Sequence, residues 1–85
     1  MTFEVRLTNK AERNLKRIPE PYRKKLVLFS HSLGGNSYPR GLEKLVDRDR
    51  SYRYRMGDYR VVWFIDEVDG VIHVLNIDKR PRVYG

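Results

Sequence analysis

The pattern of apolar and polar positions divides the chain into a strand, two helices and a second group of strands. Residues 3–7 alternate between apolar and polar side chains, which is the period of a half-buried strand. In TNKAERNLKRIP the apolar residues recur at helical spacing, and Asn9 and Glu12 have the spacing of a capping box. Pro19 predicts that this helix stops. The pattern therefore predicts a short first helix directly after the first strand.

A second helix is predicted in the stretch EPYRKKLVLFSHSLGG. Pro21 suits a first helical turn, and apolar residues recur at helical spacing from Tyr22 to Leu33. Gly34 and Gly35 then predict a C-cap and a turn. The two helices are therefore expected to follow the strand as a hairpin with a proline corner.

Period two returns after a loop in NSYPRG. LEKLVD fits a short strand, and residues 51–56, 59–66 and 71–78 predict three longer ones, joined by turns at Gly57-Asp58 and in EVDG. The last strand is apolar at almost every position, so we expect it to be covered on both faces, with His73 packed in the core or at an interface. The sequence thus predicts one α+β domain over residues 1–85. Its elements are an N-terminal strand, a two-helix hairpin and a three- to four-stranded antiparallel meander, with the helices on one face of the sheet.

The composition adds a strong positive charge to this fold. Lys and Arg number 18 against 11 Asp and Glu, which gives a net charge of +7 at pH 7. Such a field attracts polyanions or an acidic protein partner, and arginine, the commoner cation here, binds phosphate with two N–H groups at once. Glutamine is absent and the charged fraction is high, as in heat-adapted archaeal or bacterial proteins.

The composition also bears on the cellular compartment and on metal binding. The absence of cysteine excludes a disulfide scaffold and favours a reducing compartment. The longest apolar run, Val61 to Ile65, is far short of a membrane span, and the N-terminus has no apolar stretch of signal-peptide type. Two lone histidines do not make a metal site. We therefore expect a cytoplasmic protein with no membrane contact, metal or cofactor.

Candidate chemistry lies in two basic stretches. In RDRSYRYRMGDYRVVWF, period two places Arg53 and Arg55 on one strand face, and Arg60 falls in the corresponding set of the next strand. The second stretch, DKRPRVY, follows the last strand directly and contributes the residues Arg80, Arg82 and Tyr84. The alternative interpretation is a solvated strand face whose arginines pair with nearby aspartates, namely Asp47, Asp49, Asp58 or Asp66.

With YRYRMGDYRVVWFID and KRPRVY as its most specific stretches, the chain resembles the RelE branch of the RelE/ParE toxin superfamily of bacterial and archaeal toxin–antitoxin systems. The resemblance implies a metal-independent endoribonuclease that enters the ribosomal A site and cuts mRNA by attack of a ribose 2′-OH on the adjacent phosphate. It implies ribosome, mRNA and a cognate antitoxin with an acidic, amphipathic segment as partners. The catalytic positions it implies are Arg53, Arg55, Arg60, Arg80 and Tyr84.

The chain departs from the family at the expected proton acceptor. Arg53 and Arg55 stand where lysine is common, and an arginine is a poor general base. We therefore expect that Arg53 and Arg55 act only electrostatically, or that removal of the proton falls to Tyr84 or to a group supplied by the ribosome. Further RNA contacts are expected from basic residues outside the catalytic set, for which a solvated surface is the alternative: Arg48, Arg50, Arg82, Lys24 and Lys25.

Two other functions fit the same fold. A ParE-like toxin would poison DNA gyrase without nuclease chemistry, and a binding module would use Arg53, Arg55 and Arg60 only as ligands for phosphate of RNA or the ribosome. The full set of arginines and the tyrosine favours the ribonuclease over a ParE-like toxin, whereas a binding module would keep the same arginines.

Overall fold

A computed structural model of the chain describes residues 2–46 and 48–79. Two helices and five strands follow one another in these ranges: β1 (Glu4–Leu7), α1 (Asn9–Lys16), α2 (Glu20–Ser32), β2 (Glu43–Lys44), β3 (Ser51–Met56), β4 (Tyr59–Asp66) and β5 (Val71–Lys79). The α+β class and the order of elements predicted from the sequence are confirmed. Gly57 has φ +61° at the first position of the β3–β4 turn, where a type II′ hairpin requires glycine.

The strands form one mixed sheet in the order β1-β5-β4-β3-β2. Strands β2 to β5 pair antiparallel with their neighbours, which is the predicted meander, whereas β1 pairs parallel with β5. A parallel neighbour requires a crossover connection, and the two helices with strands β2 to β4 supply it. The first strand therefore closes the sheet beside the last one.

Both helices cover the same face of the sheet. Leu15 of α1 and Leu26 of α2 join a buried cluster with alternate residues of β4 and β5, among them Trp63 and Ile72. Rings of α2 lie directly on the strands, since the Phe29 ring stacks on that of Tyr54 with centroids 4.5 Å apart. The hydrophobic core is thus one layer between the helices and one face of the sheet.

The start of α1 differs from the sequence prediction. Thr8, and not Asn9, is the N-cap: its Oγ1 accepts a hydrogen bond from the backbone N–H of Ala11 at 3.1 Å. The predicted capping box of Asn9 and Glu12 is therefore wrong by one residue. Thr8 is the N-cap because its backbone N–H donates a hydrogen bond to the Val74 carbonyl of β5. This bond holds Thr8 in the extended conformation at the end of β1, which an N-cap residue requires.

The end of α2 also differs. Leu33 is the C-cap, and Gly34 does not have a left-handed backbone. Glycine is needed at position 34 for another reason: an added Cβ would lie 2.7 Å from the Phe3 carbonyl oxygen. The Phe3 N–H donates to the Gly34 carbonyl at 2.8 Å, so this glycine lets the end of α2 approach the start of β1.

A β-bulge interrupts the pairing of β4 with β5. Val62 pairs with Asn76 and Trp63 pairs with Val74, so Leu75 has no register partner on β4. The N-cap of α1 and one residue within that helix contact the bulge region. Thr8 Oγ1 donates to the Leu75 carbonyl at 2.9 Å, and Asn14 Nδ2 donates to Asn76 Oδ1 at 2.8 Å.

Candidate functional site

The face of the sheet opposite the helices carries Arg53, Arg55 and Arg60, and we call it the arginine face. Cross-strand partners share a face, so the register defines three rows across it. The tip row contains Arg55, Arg60 and Asp78; the middle row contains Glu43, Arg53, Val62 and Asn76; and the ring row contains Ser51, Phe64, His73 and Arg6. Successive rows are about 7 Å apart along the strands.

The three arginines differ in exposure. The side chain of Arg55 is 53% exposed and that of Arg53 is 21% exposed, whereas Arg60 as a whole is only 2% exposed. Arg60 and Arg55 are direct register partners, and Arg53 pairs with Val62 in the next row. The register of β3 with β4 places all three arginines on one side of the hairpin, as the sequence predicts. Arg60 on β4 is thus buried, whereas Arg53 and Arg55 on β3 are accessible to different degrees.

A carboxylate that the sequence reasoning missed lies beside two of these arginines. Glu43 Oε1 is 3.2 Å from Arg53 Nε and 3.7 Å from Arg55 Nε. Glu43 reaches them because the two-residue strand β2 pairs with β3 in a register that places it opposite Arg53. Three of the aspartates considered from the sequence, Asp47, Asp49 and Asp58, lie nearer to Arg53 along the chain, and only the β2 pairing could identify Glu43. Two cations and one anion therefore share this edge of the arginine face.

Of the two placements predicted for His73, in the core or at an interface, the structure excludes the core. His73 is half-buried, is not a member of the core cluster, and lies on the arginine face as the register partner of Phe64. The two rings stack with centroids 6.2 Å apart and planes inclined by 27°. On the other side His73 faces Arg6 of β1, whose hydrogen bond to Glu4 lowers the pKa of that carboxyl group. The bulge in β5 is what turns His73 to this face.

The other predicted RNA contacts are dispersed. Lys24 and Lys25 are exposed on α2, in the helical layer. Arg48 is exposed in the loop before β3, and Arg50 in the same loop has a left-handed backbone with φ +55° and pairs with Glu67 at 2.9 Å. The structure therefore brings none of these four into the three rows of the arginine face.

The C-terminal candidates Arg80, Arg82 and Tyr84 lie outside the described residues, as does Asp47. Their roles stay predictions. The last described residue, Lys79, pairs with Tyr59, the first residue of β4.

In residues 2–46 and 48–79, His, Asp and Glu side chains nowhere gather in a group able to hold a metal ion. Neither of the two helices in these ranges has the length and apolar character of a membrane span. On the helical side, Tyr22, Lys25, Met56 and Tyr59 line a shallow depression of ≈ 130 Å³ together with Leu26 and Gly57.

Comparisons with known proteins agree with this architecture. A family model described as the ParE toxin of type II toxin–antitoxin systems matches residues 5–84. The chain belongs to this family, within the RelE/ParE toxin superfamily. It is a RelE-family toxin of a type II toxin–antitoxin system. It is 31% identical over 83 residues to Toxin RelE of Mycobacterium tuberculosis (strain ATCC 25618 / H37Rv), a match that covers 96% of this chain and 86% of that protein.

Solved structures show the same fold. A chain of the archaeal RelE–RelB complex from Pyrococcus horikoshii OT3 has a TM-score of 0.81 and 29% identity, over 96% of this chain and 99% of that one. A chain of the toxin–antitoxin complex RelBE2 from Mycobacterium tuberculosis has a TM-score of 0.78 and 26% identity, over 94% and 100%. The α+β fold with its helices on one face of the sheet is therefore that of RelE proteins.

Proposed function

We propose that this toxin is a ribosome-dependent mRNA endoribonuclease that acts in the cytoplasm and cuts the messenger in the ribosomal A site. The observation that carries the proposal is the convergence of Arg53, Arg55 and Arg60 in two adjacent rows of the arginine face. The name of the relative from Mycobacterium tuberculosis, Toxin RelE, supports it. The net charge of +7 supports binding to a polyanion.

The proposed reaction needs no bound metal. The ribose 2′ oxygen attacks the adjacent phosphorus, the bond from phosphorus to the 5′ oxygen breaks, and a 2′,3′-cyclic phosphate and a 5′-hydroxyl result. One proton leaves the 2′-OH and one reaches the departing 5′ oxygen. Negative charge grows on the non-bridging oxygens in between, and guanidinium groups held in place beforehand stabilise it. We assign to Arg60 and Arg80 the stabilisation of this negative charge. Arg53 and Arg55 are assigned to binding the phosphate before the reaction.

Burial makes Arg60 suited to this role. A guanidinium in a region of low dielectric interacts more strongly with a developing anion than one in water does. Arg60 is 2% exposed, whereas the Arg55 side chain is 53% exposed, so Arg60 is the better placed of the two for electrostatic stabilisation. Arg55 is the better placed for a first contact with RNA.

Glu43 is a candidate proton acceptor among the described residues. Arginine is a poor base, and Glu43 is the carboxylate that pairs with both Arg53 and Arg55. Tyr84 and a group supplied by the ribosome remain the other candidates. If Glu43 accepts the proton, Glu43→Gln lowers the single-turnover cleavage rate about 10²-fold or more while binding to ribosomes is kept. If Glu43 only screens the arginines, the same change leaves the rate unaltered or raises it.

We also propose a cognate antitoxin as partner. The relatives from Pyrococcus horikoshii and Mycobacterium tuberculosis were solved as toxin–antitoxin complexes. An acidic, amphipathic segment would complement the charge of +7, and free toxin would stop growth. Copurification with the product of the neighbouring gene, released by high salt, tests this.

A ParE-like poison of DNA gyrase is the second candidate, because the family model that matches the chain is described as a ParE toxin. The two functions predict different products. Gyrase poisoning changes the supercoiling of plasmid DNA and leaves mRNA intact.

The deciding experiment is in vitro translation with matched ribosomes and a labelled messenger, followed by primer extension. New 3′ ends inside A-site codons, absent without ribosomes, are expected. An intact messenger in the presence of folded protein would contradict the proposal. A supercoiling assay would then separate gyrase poisoning from binding to RNA or the ribosome without catalysis.

A further inference from the structure

Two aromatic rings stand together on the arginine face, and the proposed cleavage chemistry does not use them. Phe64 of β4 and His73 of β5 are register partners, both half-buried, with ring centroids 6.2 Å apart and planes only 27° from parallel. The core face of β4 already holds the rings that pack against the helices, Trp63 among them. The Phe64–His73 pair is therefore not part of the hydrophobic core.

Cations flank the two rings. Arg6 is the register partner of His73 on β1, and the middle row with Arg53 begins about 7 Å from the ring row along β3. Arg60, the arginine proposed to stabilise the reacting phosphate, is four residues from Phe64 on the same strand, or about 13 Å. A single strand that crosses the arginine face with a phosphate near Arg60 would thus pass the rings with a neighbouring nucleotide.

We infer that Phe64 and His73 form a stacking site for a base of single-stranded RNA, adjacent to the proposed cleavage site. The inference rests on the proposed function. Unstacked bases of single-stranded RNA bind aromatic side chains on open sheet faces, and arginines beside them hold the phosphates. Such a site binds through the face of the base and makes no base-edge hydrogen bonds, so it accepts any of the four bases.

Binding of short RNA to the full chain tests this inference. The probes are single-stranded oligonucleotides made non-cleavable by 2′-O-methyl riboses, together with a series in which one position at a time is abasic. Binding is followed by NMR through the ring protons of Phe64 and His73. The variant Phe64→Leu removes the ring and keeps an apolar side chain, and Phe64→Trp keeps a ring of larger area. Tyr38→Leu is the matched control, because Tyr38 is a 52% exposed ring packed on Tyr52 of the opposite face.

We expect Phe64→Leu to weaken binding of the intact oligonucleotide roughly 5- to 150-fold, whereas Phe64→Trp and Tyr38→Leu keep the wild-type affinity or exceed it. At one abasic position wild type and Phe64→Leu should bind equally, since the stacked base is missing. Two results would overturn the inference while RNA binding itself stands. One is that Phe64→Leu weakens binding equally for every oligonucleotide of the abasic series, and the other is that Phe64→Leu leaves the affinity unchanged. A loss of antitoxin binding alone would assign the rings to the antitoxin and overturn it too. If wild type binds none of the oligonucleotides, the inference is overturned, whereas the proposed function stands or fails separately in the cleavage assay on ribosomes.

Discussion

The two faces of the sheet are built from alternate residues of the same strands, yet they differ in polarity and charge. On the helix-covered face Val61, Trp63 and Ile65 of β4 are fully buried among apolar side chains. On the arginine face, the intervening positions of β4 carry Arg60, Val62 and Phe64, and Arg53 and Arg55 stand beside them on β3. One face has the composition of a core and the other has that of a binding surface.

This difference shows how a small domain separates stability from chemistry. The repulsion among Arg53, Arg55 and Arg60 acts on one side of a sheet whose register is fixed by apolar contacts on the other side. Glu43 reduces that repulsion at the edge. Substitutions on the two faces should therefore have different effects, loss of folding on one and loss of activity on the other.

The largest effect on folding is expected from Trp63→Ala on the helix-covered face. Trp63 is fully buried, contacts the Phe29 and Tyr52 rings, and donates from Nε1 to the Ser37 carbonyl at 3.3 Å. The cavity left behind should lower the free energy of unfolding by about 3–5 kcal/mol. Urea denaturation measures it, and a loss below about 1 kcal/mol would contradict the assignment of Trp63 to the core.

Arg60→Ala should reduce the cleavage rate more than the free energy of unfolding. We expect a loss of cleavage rate of about 10²–10³-fold, because a preorganised cation is removed from the developing charge. Single-turnover cleavage on ribosomes and growth arrest on induction measure it. Since Arg60 is buried, Arg60→Met serves as the control that fills the same space without the charge. Full toxicity in Arg60→Met would exclude Arg60 from the mechanism.

A pair of glycine variants tests the contact between β1 and the end of α2. Gly34→Ala places a Cβ 2.7 Å from the Phe3 carbonyl oxygen, so the backbone must shift, at a cost of about 1–3 kcal/mol in the free energy of unfolding. Gly35→Ala is the matched control, because nothing lies within 4 Å of its added Cβ. Equal melting temperatures for the two variants would show that the close approach is not required.

The smallest effect on the free energy of unfolding is expected at Thr8. Thr8 lies on the helical side of the sheet, and its substitution should also affect His73 on the arginine face. Thr8→Ala removes the N-cap of α1 and the hydrogen bond to the Leu75 carbonyl, and should cost about 1 kcal/mol. The bulge at Leu75 keeps His73 on the arginine face, so the NMR signals of His73 should shift as well. Asn9→Ala, at the position that the sequence favoured for the cap, should change neither quantity. The reverse result would restore Asn9 as the cap.

Much of the fold could be predicted from local signals. Proline and glycine mark the helix ends and the β3–β4 turn, and the two-residue turn fixes how β3 pairs with β4. That pairing alone places Arg53, Arg55 and Arg60 on one face. Thr8 and Asn9 are both good N-caps, so the sequence could not choose between them, and a contact with distant β5 decides.

Two features of the candidate site depended on contacts between distant parts of the chain. Strict alternation along β5 from Asp78 would place His73 on the core face, and the extra residue at the bulge reverses this. Glu43 reaches Arg53 through the pairing of a two-residue strand that follows a loop. Neither leaves a periodic signal in the sequence.

The sequence by itself determined the elements, the hairpin and its arginines, because turn residues and period two act over a few neighbouring positions. Only the tertiary structure decided that β1 lies parallel beside β5, that Glu43 pairs with Arg53 and Arg55, and that His73 joins Phe64 on the arginine face. The physical reason is the same in each case. Register between strands far apart in the chain is set by packing and hydrogen bonds that form only when the whole sheet assembles.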